Sequence, residues 1–126
     1  MSNCSCIYID SFDYSSFYRE ELPTARKMHM CSECGRDINK EENYKKESGL
    51  WQDKFETFKT CIDCLSIRNE FFCGDWNFGS VLVDLEDYIK EAHGEISEDC
   101  IINLTDNARY KVFDMIEEGW QNDNQR

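Results

Sequence analysis

Two cysteine pairs carry the most specific chemistry in this chain: Cys31-Ser-Glu-Cys34 and, after 26 intervening residues, Cys61-Ile-Asp-Cys64. Two C-x-x-C pairs can supply four thiolates to one tetrahedral Zn²⁺. Such a site is structural, because four protein ligands leave no open position for water or substrate. Gly35 follows the first pair, where a tight turn with positive φ lets backbone amides point at the sulfurs. A thioredoxin-like redox role needs a C-x-x-C in a βαβ setting, and iron–sulfur clusters have their own spacings; neither is present. Four cysteines remain. Cys4 and Cys6 share one face of an extended segment, and with Cys73 and His29 they are candidates for a second tetrahedral site. The competing expectation is small buried thiols, with Cys100 on an amphipathic face in the core.

Catalysis is not expected. His29 and His93 are the only histidines, and the carboxylates are scattered along solvated faces. The formal net charge is −12 over 126 residues, and it is unevenly spread. Residues 26–68 hold nine basic and eight acidic side chains, whereas residues 69–126 hold four basic and fourteen acidic ones. The second segment repels phosphate backbones and attracts basic partners. Asp84, Glu86, Asp87, Glu91 and Glu95 are therefore candidates for contact with a basic or nucleic-acid-binding protein. The competing function is direct nucleic-acid binding through the basic 26–46 region. There Arg26, Lys27, His29, Arg36, Lys45 and Lys46 would meet phosphates, and Trp51 would stack on a base. No apolar run approaches the roughly 20 residues that span a bilayer, and the opening Met-Ser-Asn-Cys-Ser-Cys lacks the regions of a signal peptide. The chain is expected in the cytoplasm, where cysteines serve as ligands or thiols rather than disulfides.

An α+β fold is needed to position these residues, in one domain with a zinc module over 26–75 and an acidic helical extension over 76–126. Residues 4–9 read as a short strand, followed by a turn-rich loop whose aromatics Phe12, Tyr14, Phe17 and Tyr18 fold back over a small core. Residues 43–60 read as a β-hairpin with Tyr44 to Glu47 as one arm, Ser48-Gly49 at the turn and 55–59 as the other arm. Trp51, beside the turn, would cover the metal site. Thr60 is the expected N-cap of a helix running to about Phe72, with Ile62, Leu65, Ile67, Phe71 and Phe72 as its apolar side. A second helix spans 81–93 and stops at Gly94, a short turn begins at Ser97, and a last helix covers about 106–118, burying Val112, Ile116 and Phe113. Residues 121–126 are polar and expected to fray.

The string His29-Met-Cys-Ser-Glu-Cys-Gly-Arg36, Tyr44, Trp51 and Lys59-Thr-Cys-Ile-Asp-Cys-Leu-Ser-Ile-Arg68 resembles treble-clef zinc modules. In these a cysteine knuckle leads into a hairpin and the second cysteine pair opens a helix. Over residues 26–75 the chain also resembles small cysteine-rich proteins encoded by bacteriophages and prophages. The first resemblance implies a structural zinc bound by Cys31, Cys34, Cys61 and Cys64. The second, to proteins mostly without assigned function, implies phage origin and the host cytoplasm. The missing catalytic constellation and the acidic C-terminal half make the expected function a non-catalytic binding protein, engaging or inhibiting a nucleic-acid-handling or defence enzyme through its acidic surface. Nuclease members of the treble-clef group carry histidines on the hairpin and helix; this chain has none there, so nuclease activity is not implied.

Overall fold

In the computed structural model, which describes residues 4, 7, 17–72 and 74–124, the elements follow in the order β1 (Phe17–Glu21), β2 (His29–Met30), β3 (Asp37–Ile38), β4 (Tyr44–Trp51), β5 (Lys54–Cys61), α1 (Ile62–Phe71), α2 (Val81–Glu91) and α3 (Asp106–Asn124). The expected α+β class is present. Strands β1, β4 and β5 form an antiparallel sheet in that order, and β2 and β3 form a separate two-stranded ribbon.

The β4–β5 hairpin is longer than the sequence suggests. Its register runs from Tyr44 opposite Cys61 to Trp51 opposite Lys54, so Ser48 and Gly49 lie inside the ladder, facing Thr57 and Glu56. The turn is Gln52-Asp53, with φ of 50° and 62°. Two positive φ values match the twist of the flanking strands, and here the geometry is met without a glycine. The expected Ser-Gly turn is thus corrected, and Trp51 moves with it. Its ring packs edge-on against Tyr18, Phe58 and Phe78 at the far end of the hairpin, rather than over the cysteines. β1, read from sequence as part of a loop, pairs with β4 along its whole length. Phe12 and Tyr14 lie outside the described residues.

Two buried clusters meet on α1. One gathers Ala25, Cys31, Ile38, Tyr44, Cys61 and Cys64. The other packs Ile67 and Phe71 of α1 against Val81, Leu85 and Ile89 of α2 and Ala108, Val112 and Ile116 of α3. In α2 and α3 these residues recur every four positions, the spacing that lays one stripe along a helix. The apolar side expected for α1 is only partly right, because Ile62 is 40% exposed while Asp63 and Arg68 are buried. Thr60 is not the cap: it sits in β5, and the Cys61 sulfur accepts from the Cys64 N–H instead. α3 continues past the expected end to Asn124, and Phe113 is 45% exposed rather than core. Helix α2 ends ahead of Gly94 (φ 76°), whose missing Cβ leaves room for the Trp120 ring of α3.

Of the expected strand over 4–9, only Cys4 and Ile7 are described. Ile7 forms a parallel bridge with Phe72. Cys4 is joined to Cys100 by a disulfide, so the expectation of reduced thiols fails for these two. Their Cα atoms are 5.0 Å apart, a separation that suits a disulfide.

Glu47 and Arg68, both buried, form an ion pair at 2.7 Å between β4 and α1. The Tyr18 hydroxyl donates to the same carboxylate, and the Arg68 guanidinium lies 4.0 Å over the Trp76 ring. Tyr18 titrates above the ordinary phenol range, because partial burial and then its bond to Glu47 disfavour the phenolate. Breaking a buried pair from one side costs about 3–5 kcal/mol, whereas replacing both members with apolar residues of similar volume is close to neutral. Arg68→Met is therefore expected to lower the urea midpoint strongly, and Glu47→Leu with Arg68→Met to recover most of the loss. Wild-type stability in Arg68→Met alone would show that the pair does not hold sheet to helix.

Candidate metal centre

The two cysteine pairs reach one point from different elements. Cys31 and Cys34 sit in the turn between β2 and β3, where the Gly35 N–H bonds to the Cys31 carbonyl at 3.0 Å and Gly35 itself has φ 76°. Cys61 ends β5 and Cys64 lies in the first turn of α1. The turn is fastened to β5 by Ser32, whose N–H donates to the Lys59 carbonyl at 2.7 Å and whose hydroxyl accepts from the Lys59 N–H at 3.1 Å. As a result the four sulfurs lie within 4.8 Å of one another, with Cys34 and Cys61 at 3.9 Å. Zn–S bonds of about 2.3 Å in a tetrahedron put sulfurs about 3.8 Å apart. The cluster is thus close to the size the ion requires.

Its surroundings suit thiolates. Cys31, Cys61 and Cys64 are buried. The Cys31 sulfur accepts from the N–H groups of Glu33 and Cys61, both at 3.4 Å, and the Cys61 sulfur accepts from the Cys64 N–H at 3.4 Å. Such bonds are the usual outer support of a thiolate metal site. Hydrogen bonds from Cys61 and Cys64 hold the Cys31 thiol well below its ordinary range. The same sharing pushes Cys61 up to about 11 and raises Cys64 as well. Four sulfurs this close cannot all ionise unaided. A divalent cation removes that conflict, and the four-thiolate set fits zinc.

Sequence reasoning places Asp63 only as a complement to the N-terminus of α1, and misses the contacts that the acidic residue inside each pair makes. The Glu33 carboxylate accepts from the N–H of Gly79 at 2.9 Å and of Val81 at 3.2 Å, so the knuckle caps the start of α2. Burial raises the Glu33 pKa, and these two bonds oppose the rise. Asp63 accepts from the Thr105 hydroxyl at 2.6 Å and pairs with Arg36 at 3.2 Å. Thr105 in turn accepts from the Ala108 N–H at the start of α3. A signal was present: both C-x-x-C pairs carry an acidic residue immediately before the second cysteine. A carboxylate beside thiolates needs a partner to offset the repulsion.

The other described candidates have partners of their own. His29 lies 5.2 Å from the Tyr44 ring, with Nδ1 3.1 Å from Lys59 Nζ, and Cys4 is taken by Cys100. Of the set Cys4, Cys6, Cys73 and His29, Cys6 and Cys73 lie outside the described residues. Among the described residues, the four-cysteine cluster is the one group of three or more such side chains that could hold a metal ion. Arg36 is bound to Glu42 as well as Asp63, and Lys45 pairs with Glu20. Both leave the basic set, whereas Arg26, Lys27, His29 and Lys46 line one cleft of about 450 Å³. Asp84, Asp87 and Glu91 share a flank of α2, Glu86 lies on another side of that helix, and Glu95 is exposed beyond its end.

Structural zinc contributes roughly 10–16 kcal/mol of binding free energy to folding. Cys64→Ser or a strong chelator is therefore expected to unfold sheet and helices together, because α1 belongs to both cores. Far-UV circular dichroism checks this, and an unchanged thermal melt after complete metal removal would refute it. Acidification protonates the ligands, so zinc release should rise as pH falls below neutrality, read with a chromogenic chelator. Losing a helix cap costs about 1 kcal/mol, so Glu33→Ala should lower stability on that scale while leaving metal content unchanged.

No helix among the described residues is long and apolar enough to cross a membrane. No family model matches the chain, and neither a curated protein nor a solved structure does.

Proposed function

We propose that this is a non-catalytic binding protein in which a treble-clef-type zinc module carries a helical surface for a basic protein partner. The observation behind this reading is the outer side of α3. Tyr110 is 69% exposed and Trp120 53% exposed, with Phe113 also open to solvent. Around them Asp106, Asp114, Glu117 and Glu118 are exposed. Aromatic anchors within a charged rim are the usual make-up of a protein interface; carboxylates outnumber the cations Arg109, paired with Asp106, and Lys111 in this rim, and an excess of one sign steers a partner of the opposite sign. The Asp84, Asp87 and Glu91 flank of α2 adds to that field. A nucleic-acid-handling enzyme offers a basic groove of the required kind. The resemblance to phage proteins makes a host enzyme the natural target, with inhibition by occupancy of the groove as the outcome.

The test uses immobilised full-length protein and host extract. Retained proteins should be basic and elute with salt, and Tyr110→Ala with Phe113→Ala should reduce retention at least tenfold. Equal retention by that variant would exclude α3 as the binding surface.

One observation favours a second reading, direct binding of nucleic acid. Arg26, Lys27, His29, Tyr44 and Lys46 line the same cleft together with Glu21, which puts three cations, an imidazole whose pKa is lowered by desolvation and the neighbouring lysines, and one carboxylate beside an aromatic ring. Fluorescence anisotropy with single- and double-stranded DNA decides between the two. If this cleft binds phosphates, Lys27→Ala and Lys46→Ala should each reduce the salt-dependence slope by about 1. No shift at low salt would leave the protein-partner reading alone.

A further inference from the structure

We propose, resting on the nucleic-acid reading of the basic cleft, that the open face of the β1–β4–β5 sheet continues that cleft as a path for a single-stranded nucleic acid, with Phe55 as its stacking platform. Side chains alternate across a strand, so the register sorts the sheet into two faces. On one face Glu21, Lys46 and Lys59 form a row, Arg19, Ser48 and Thr57 the next, and Leu50 and Phe55 a third. The opposite face is occupied. There Arg68 of α1 bonds to Glu47 at 2.7 Å, Phe78 stacks on Phe58 with ring centroids 4.1 Å apart, and Lys45 pairs with Glu20. The first face meets the cysteine turn at its Tyr44–Cys61 end, where the His29 ring packs on Tyr44 and the Cys61 N–H donates to the Cys31 sulfur. Beyond that end Phe55 is 65% exposed, and Thr57 and the Arg19 side chain are exposed as well.

Charge follows the same division. The three strands together hold five basic and four acidic side chains. The open face takes Arg19, Lys46 and Lys59 against Glu21 alone, and that carboxylate lies 4.0 Å from Arg19. Glu20, Glu47 and Glu56 fall on the occupied face with Lys45 and Lys54. Alternation thus gives a chain of net charge −12 one basic sheet face. Glu21 and Lys46 also line the cleft with Arg26 and Lys27, and Lys59 Nζ reaches His29 Nδ1 at 3.1 Å, so the first row belongs to cleft and sheet alike. From Lys46 to Leu50 is four residues along β4, about 14 Å of strand. Cations that track a backbone, leading to an aromatic ring, are the two parts of a single-strand site. A base stacks on such a ring only when it is free of its own neighbours, which a single strand allows and a duplex does not. The exposed ring also separates this occupant from an acidic peptide, which would use the cations and leave Phe55 idle.

The test is fluorescence anisotropy of full-length protein with labelled oligothymidylate of about 16 nucleotides, the upper end of the usual site sizes, and with a duplex of the same length. The single strand should bind at least tenfold more tightly than the duplex. Phe55→Ala should weaken single-strand binding about tenfold with an unchanged thermal melt, and Phe55→Trp should restore it. Arg19→Ala should lower the salt-dependence slope by about 1, and Tyr110→Ala on α3 should bind as wild type does. Equal affinity for both oligonucleotides, or wild-type affinity in Phe55→Ala, would overturn the sheet-face path and leave phosphate binding in the cleft standing. Displacement by polyglutamate as effective as by unlabelled oligothymidylate at equal charge would overturn it in favour of an acidic peptide. No binding of either oligonucleotide at low salt would overturn the path and the nucleic-acid reading together. The comparison of strand with duplex uses the wild type alone, so it decides even if a variant fails to fold.

Discussion

Four sulfurs held within 4.8 Å of one another impose an electrostatic condition that the polypeptide alone does not meet. A cation meets it, and much of the remaining architecture follows from where that cation must sit. The Cys31–Cys34 turn has to lie against the end of β5, and Ser32 and Lys59 hold it there. α1 has to begin at Cys61, which fixes the direction in which the helix leaves the sheet. The face of α1 turned away from the sulfurs is then a scaffold for α2 and α3, and Ile67 and Phe71 occupy it. A metal-closed loop thereby sets the position of a helical core that contains none of its ligands.

The acidic residues inside the cysteine pairs convert that position into contacts. Glu33 would repel the neighbouring sulfurs if it stood alone; aimed at the first amides of α2, it stabilises a helix start instead. Asp63 does the same through Thr105 at the start of α3, with Arg36 balancing its charge. Residues 76–126 are consequently less an extension than the second half of one unit, joined to the first by carboxylates that belong to the metal turn.

The cysteine frame, the class of fold and the three helices were legible because each has a short-range signature: C-x-x-C spacing, i,i+4 apolar residues, and Gly94 as a stop. The hairpin turn was not. Ser48-Gly49 is the stronger turn dipeptide, yet the pairing of β4 with both β1 and β5 keeps it in the ladder and moves the reversal to Gln52-Asp53. Here long-range hydrogen bonding outweighed local preference. Trp51 was misplaced for the same reason. The Cys4–Cys100 contact spans almost the whole chain, and no local pattern in the sequence announces it. Phe113 looked like a core position, and its exposure becomes visible only when the stripe of α3 that faces α1 and α2 is known.

The Glu47–Arg68 pair has one more effect, on strand alignment. Lys46 precedes Glu47 and Ser48 follows it. A slip of β4 by one position relative to α1 would bring either an ammonium group or a small hydroxyl towards the buried guanidinium. The first places like charges together in a dry site, and the second leaves Arg68 without a counter-ion. Because side chains alternate across a strand, either slip also reverses which residues face the helix. The ion pair therefore acts as a registration mark, discriminating against misaligned versions of the hairpin whose hydrophobic content would be nearly the same.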